Sequence, residues 1–435
     1  MAISPAAASA QGGPPPSAFT RWLETAPRLV FVLYGGLMAF GAYFAMYAFR
    51  KPFTAADFGD VAGFVVDYKI ALVIAQVFGY ALSKLMGIKF VSELPARRRA
   101  VAIIILVSLA ELALVGFGFV RPPYNIIFLF LNGLPLGMIW GLVFGFLEGR
   151  RTSEILGSIL CASFIVSSGL VKSVGKWLLL QHYASEFTMP MLTGLIFAPV
   201  LCLCVLGLTQ LPPPDAADIA SRVERAPMNG AARKALFSTY APGLVALVAL
   251  YVMLTALRDF RDNFAAEIWT AVGLGDMAEI FSETELPIGL LVLVLMAGLA
   301  FFKSNRSAIL ANLLLIGSGL CVTAVSSLLF QQGMINPVIW MTLVGAGLYM
   351  AYTPFNGLIF DRLVAATGRI GTAGFLIYVA DSSGYLGSVA LLLFKNLSGL
   401  ALPWVEFMTV AGLVTGGLGL LILAYAARYF YKRFS

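Results

Sequence analysis

Twelve predominantly apolar runs, each about twenty residues long, follow one another along this chain. A helix of that length crosses the ~30 Å hydrocarbon core of a bilayer, where every backbone polar group has to find its partner within the protein. The runs predict spans at 29–51, 69–90, 101–120, 124–147, 154–180 and 189–211, then 241–264, 284–303, 306–331, 336–362, 370–395 and 403–428. With 60% hydrophobic and 12% charged residues and a mean hydropathy of +0.89, an ordinary soluble fold is excluded. The expected fold class is an all-α integral membrane protein, its twelve transmembrane helices forming two pseudo-symmetric six-helix bundles.

Residues 1–26, rich in Ala, Pro, Gly and Ser at their start and without an apolar core segment, read as a disordered cytoplasmic tail rather than a signal peptide. Residues 27–211 are expected to form the first bundle, 212–238 a polar cytoplasmic linker, and 239–435 the second bundle. Twelve spans put both termini on one side. Arg21, Arg28, the basic stretch from Lys84 to Arg99, Arg150, Arg151, Arg222, Arg225, Arg233, Lys234, Arg428, Lys432 and Arg433 share that side. Asp57, Asp67, Glu186, Glu267 and Glu283 lie on the other. The positive-inside rule makes the basic side cytoplasmic and the protein a multi-pass inner-membrane chain with both termini inside. The net charge of +7 is thereby a matter of topology, and no nucleic-acid partner is expected.

Charges inside the spans carry the functional signal, because a charge at membrane depth is costly and is usually kept for function. Phe49-Arg50-Lys51-Pro52-Phe53 ends the first span and Phe260-Arg261-Asp262-Asn263-Phe264 ends the seventh. Ser167-Ser168-Gly169-Leu170-Val171-Lys172-Ser173-Val174 in span five matches Ser382-Ser383-Gly384-Tyr385-Leu386-Gly387-Ser388-Val389 in span eleven, and Glu148-Gly149-Arg150 meets Asp361-Arg362. The three matches have nearly equal separations, which indicates duplication of a six-helix unit. Arg50 and an arginine of span seven, Arg258 or Arg261, are the candidate anion ligands, since a guanidinium grips phosphate or carboxylate through two parallel hydrogen bonds. Arg258 and Asp262 stand at the i,i+4 spacing of an intrahelical pair. Lys51, Lys84 with Tyr80, and Lys172 are further candidate substrate contacts, and Asp259, Asp262, Asp381 and Glu111 are candidate coupling or charge-balancing acids.

No phosphate-cradling glycine loop and no zinc-binding helix is present, and His182 is the chain's one histidine. No catalytic set, metal site or cofactor is expected, so the chain is not read as an enzyme. Cys161, Cys202, Cys204 and Cys321 all fall in apolar runs, without metal-ligand spacing.

Several local motifs resemble the major facilitator superfamily and, within it, the organophosphate:phosphate antiporters. Tyr47-Ala48-Phe49-Arg50-Lys51-Pro52-Phe53 resembles that family's Tyr-x-x-Arg-Lys-Asn-Phe, and Tyr80-Ala81-Leu82-Ser83-Lys84-Leu85-Met86-Gly87 resembles its span two. Gly133-Leu134-Pro135-Leu136-Gly137-Met138-Ile139-Trp140 is similar to its Gly-x-x-x-Gly-Met-x-Trp. Gly371-Thr372-Ala373-Gly374-Phe375 with Gly384 to Val389 is similar to its span eleven. The resemblance implies that Arg50 and Arg258 are paired phosphate ligands, with Lys51, Tyr80 and Lys84 around the same cavity, whereas the internal repeat selects Arg261. The chain departs from the family at Pro52, which replaces an asparagine, in the doubled Arg-Asp of span seven, and at Ser163 or Phe164, where the glycerol phosphate transporter has a histidine.

The expected function is secondary active transport of a small organic anion, a phosphorylated metabolite, by a monomer that uses inorganic phosphate or a proton as coupling species. Two alternatives stand beside it: a proton-coupled carrier or exporter of a carboxylate or drug-like compound, and a membrane sensor of a sugar phosphate.

Overall fold

We describe the computed structural model over residues 17–59, 66–215, 218, 230–299, 301–302, 304–356, 359–366, 374–398 and 402–434. The first sixteen residues of the tail, the linker residues Arg222 and Arg225, and the motif residues Gly371, Thr372 and Ala373 lie outside that set.

The first half comprises α1 (Ala18–Thr25), α2 (Arg28–Met46), α3 (Tyr68–Glu93), α4 (Arg99–Phe119), α5 (Ile126–Leu136), α6 (Ile139–Leu147), α7 (Ser153–Leu180) and α8 (Met189–Thr209). The second comprises α9 (Gly230–Asn263), α10 (Ala265–Ala271), α11 (Ile280–Leu299), α12 (Asn305–Gln331), α13 (Pro337–Tyr352), α14 (Ile359–Ala366), α15 (Gly374–Leu397) and α16 (Trp404–Phe434). Among the described residues eleven segments are long and apolar enough to cross a membrane. The twelfth span is α15, which carries Asp381, Ser382 and Ser383 in its body. The two bundles meet along two seams, α7 against α11 and α3 against α15.

Three expectations need correction. Residues 18–25 of the presumed tail are helical: Ser17 caps α1 by accepting from the Thr20 amide, Leu23 is buried, and Ser17 and Thr20 both donate to Gln210 Oε1 at the end of α8. The segment is amphipathic, so its few apolar residues find a surface on the bundle. The last residues of the linker, from Gly230, already belong to α9. Span four is broken between Leu136 and Ile139, behind Pro135, and span ten continues from α13 into a 3-10 turn at Thr353–Asn356 before α14.

Span one also breaks, and this break positions the site. After Met46 the chain tightens into a 3-10 turn at Tyr47–Phe49 and then a second at Pro52–Ala55, because Pro52 has no amide to continue the ladder. Carbonyls freed inside a membrane need other donors. Asn132 Nδ2 donates to Phe49 O at 2.8 Å and also to Ala110 O of α4 at 3.1 Å, and Gln76 Nε2 reaches Arg50 O at 2.9 Å and Asn132 Oδ1 at 2.8 Å. α3 and α5 approach closely enough for this network because Gly133 has no side chain: a Cβ there would lie 2.3 Å from Gln76 O.

Candidate functional site

Between the bundles lies a cavity of about 640 Å³ that reaches the face bearing the α3–α4 and α6–α7 connections, where Arg99 and Glu148 line it. The opposite face is sealed. One continuous buried cluster runs from the second bundle through Ile280, Phe281 and Ile288 into Phe53, Phe58 and Phe117 of the first.

Arg50 hangs from the 3-10 bend into the cavity with its guanidinium 3.8 Å from the centroid of the Tyr80 ring. Among the described residues no acid pairs with it, and its Nε is buried without a hydrogen-bond partner. From the second bundle Arg258 enters the same cavity, 3.9 Å over the Tyr352 ring. It pairs with its neighbour Asp259, Nη2 to Oδ1 at 2.6 Å, and Ser388 holds the other carboxylate oxygen at 2.8 Å. The expected Arg258–Asp262 pair within the helix does not form, because Asp262 faces the first bundle instead.

Asp262 is taken by two lysines at once. Lys51 pairs with its Oδ2 and donates to Asn263 Oδ1 at 2.8 Å, while Lys172 meets Oδ1 at 2.7 Å, an oxygen that also accepts from Ser168 at 2.5 Å. Lys84 reaches across the other seam to Asp381 Oδ2 at 2.6 Å, and Tyr251 donates to Oδ1 of the same acid. Among the described residues five cations line the cavity, Arg50, Lys51, Lys84, Arg99 and Arg258, against the four acids Glu148, Asp259, Asp262 and Asp381. Because Lys172 shares Asp262, the real excess of positive charge is larger than this difference. Low-dielectric walls focus such an excess and favour an anionic occupant.

Three sequence candidates lie elsewhere. Arg261 is buried away from the cavity, its fork filled by Glu285 Oε1 at 2.6 Å and by Met341 O at 2.9 and 3.1 Å, so no group is left for substrate. Lys172 is buried behind Asp262 and does not line the cavity. Glu111 is outside the cavity, beside Gly194 of α8 and Phe49, with both oxygens buried and unpartnered. Of the two positions corresponding to the antiporter histidine, Phe164 lines the cavity and packs on Tyr349, whereas Ser163 turns back to Leu160 O.

Sequence reasoning missed the aromatic wall. Tyr43, Tyr47 and Arg50 follow one another at helical spacing, as do Tyr349, Tyr352 and Asn356, and then Asp381 and Tyr385; every one of these lines the cavity. That periodicity was the available signal. Among the described residues no group of three or more His, Cys, Asp or Glu side chains is placed to hold a metal.

A family of unknown function (DUF5690) matches residues 52–433. No curated protein matches the chain in sequence. Solved structures with the same architecture include a D-xylose–proton symporter, with TM-score 0.59 at 13% identity over 92% of this chain and 97% of the other. A bacterial homologue of the human drug peptide transporters PepT1 and PepT2 gives 0.61 at 11% identity, with 93% and 99% covered. A bacterial homologue of the human lysosomal transporter Spinster gives 0.59 at 12%, with 96% and 99% covered. At these identities the likeness establishes the fold alone, two facilitator-like six-helix bundles.

Proposed function

The chain belongs to the DUF5690 family and folds as two facilitator-type bundles, and on that footing we propose that it is a secondary transporter of a small organic anion, most specifically a phosphorylated metabolite. Arg50 and Arg258 form the clamp. The observation that carries this reading is the state of Arg50: a guanidinium inside a membrane cavity, stacked on Tyr80 and, among the described residues, without an acid beside it. A buried cation without a counter-ion is expensive, and a dianion arriving at the cavity supplies one. Arg258 faces it from the other bundle, so an anion bound between the two joins halves that otherwise meet along the seams.

The halves, residues 27–211 and 239–435, then rock as units about the bound anion, which gives alternating access. In this reading the cavity-bearing face is cytoplasmic, as the placement of Arg99, Arg150 and Arg151 on that side supports, and the protein resides in the inner membrane with both termini inside. The motif resemblance of the first two spans favours an organophosphate over a plain carboxylate, and the aromatic wall offers ring faces to a sugar or other cyclic moiety.

The test is ligand binding by purified protein followed as a thermal shift against phosphorylated and carboxylated metabolites, with flux measured in vesicles. Arg50→Lys keeps the charge but loses the fork. It is expected to weaken anion binding at least about tenfold, the equivalent of one charge-assisted hydrogen bond, with the melting temperature of the ligand-free protein unchanged. Wild-type affinity and flux in that variant would remove the clamp.

A further inference from the structure

The sealed face holds a second ionic centre that the cavity does not reach. Lys69, on the first turn of α3, is almost wholly buried. Its Nζ donates to Thr54 O at 3.0 Å, meets Glu267 Oε1 at 2.5 Å and lies 5.6 Å from the centroid of the Phe264 ring. Glu267 stands on α10, beyond the end of the seventh span, so this pair bridges the two bundles. The second carboxyl oxygen, Oε2, is buried with no partner. A carboxylate there has one oxygen paired and the other unsatisfied and out of reach of water. Lys69 meets only Oε1 and gives another of its N–H groups to Thr54 O. Asp57 is the other charged group that acts on the site, and its charge opposes ionisation of Glu267.

We propose that Glu267 is a proton-binding latch across the sealed face, its carboxyl holding a proton more tightly while the bundles are shut there than when they part. The latch rests on the alternating-access reading for its second state, in which parting of the bundles hydrates the carboxyl. Burial pushes Glu267 up to about 7 in spite of Lys69, from an ordinary value of 4.5 that hydration restores. The shut form therefore binds the proton more tightly. Acid favours the shut form, and rising pH favours opening by up to about tenfold per pH unit between roughly 5 and 7, levelling off above.

The experiment uses the full chain in lipid nanodiscs, with the four native cysteines replaced and spin labels at Tyr124→Cys and Met334→Cys, both exposed on the loops of the sealed face, one on each bundle. Distance distributions are recorded from pH 5 to 8 without any ligand. In the wild type the ratio of open to shut is expected to rise by up to about a hundredfold between pH 5 and 7. Glu267→Gln, a permanent mimic of the neutral acid, stays shut across the range. Lys69→Met deprives the carboxylate of its cation and moves the rise to higher pH. The latch is overturned by a wild-type ratio that ignores pH, or by a pH profile that Glu267→Gln retains. Failure of the anion clamp would look different, as flux and metabolite-induced shifts missing from a protein whose bundles still part with pH.

Discussion

Arg258 and Arg261 sit three residues apart on α9 and meet opposite surroundings, and the difference decides what each is for. The helix turns by about 300° between them, so the nearly shared face still leaves one guanidinium in the cavity and the other between α11 and α13. Arg261 has three hydrogen bonds and a buried acid. Such a pair stabilises little beyond a well-packed apolar substitute, but breaking it leaves Glu285 charged and alone. Arg261→Ala is therefore expected to cost roughly 3–5 kcal/mol, read as a lower unfolding temperature in detergent, and Arg261→Met with Glu285→Leu to recover most of that. A double variant as unstable as the single would mean that Arg261 contributes more than the neutralisation of Glu285. The doubled Arg-Asp of span seven thus divides: Arg258 and Asp259 line the cavity, Asp262 lines it while held by Lys51 and Lys172, and Arg261 alone turns away to Glu285 and Met341.

The broken helices do what straight ones cannot, since the 3-10 bend of span one turns Arg50 inward and exposes its own carbonyls to a medium without water. Asn132 satisfies one of them, Phe49 O, while the same amide also reaches Ala110 O in the body of α4, and Asn132 is itself fully buried. Asn132→Leu keeps the volume and strands Phe49 O, at about 1–3 kcal/mol, while Gln76 loses one of its two partners and keeps Arg50 O. The variant is expected to melt earlier and to bind anions more weakly as Arg50 loses its perch, whereas Arg50→Lys changes binding alone. Equal anion affinity in Asn132→Leu and wild type would show that the bend holds its shape without the amide. Hydropathy made the spans legible, since a run of twenty apolar residues has one physical meaning in a membrane. It carried no information about Pro52 or Pro135 breaking those runs, nor about α1, whose stability comes from Gln210 far along the chain. For the site, the charges of Arg50, Lys51, Lys84 and Arg258 stood out against an apolar background. Gln76 and Asn132 did not, because an uncharged amide in a span says nothing about which carbonyl it serves. The Lys69–Glu267 pair was equally silent, its members lying 198 positions apart at the edges of spans where charges are common.

At the scale of the whole molecule the seams are unequal, and this sets which motion is open to the bundles. Along α7 and α11 the backbones nearly touch: a Cβ on Gly169 would fall 2.4 Å from Phe281 O, and the Ser282 amide donates to Ser173 Oγ at 3.1 Å. With the Asp262 triad and the apolar cluster of Phe53 and Phe281 beside it, this seam closes the face opposite the cavity. Any conformation that opens that face has to separate Ser173 from Ser282, whereas the cavity face does not depend on their contact. A Ser173→Cys/Ser282→Cys disulfide is therefore expected to trap the cavity-open form. Anion binding from the open face, followed as a thermal shift, survives oxidation; flux in vesicles is lost and returns with reductant. Binding and flux lost together would place the cavity's entrance on the face this seam closes. Flux that continues through the cross-linked protein would mean that the anion crosses without the bundles parting at α7 and α11. Transport would then need a channel through the apolar cluster that now seals the face.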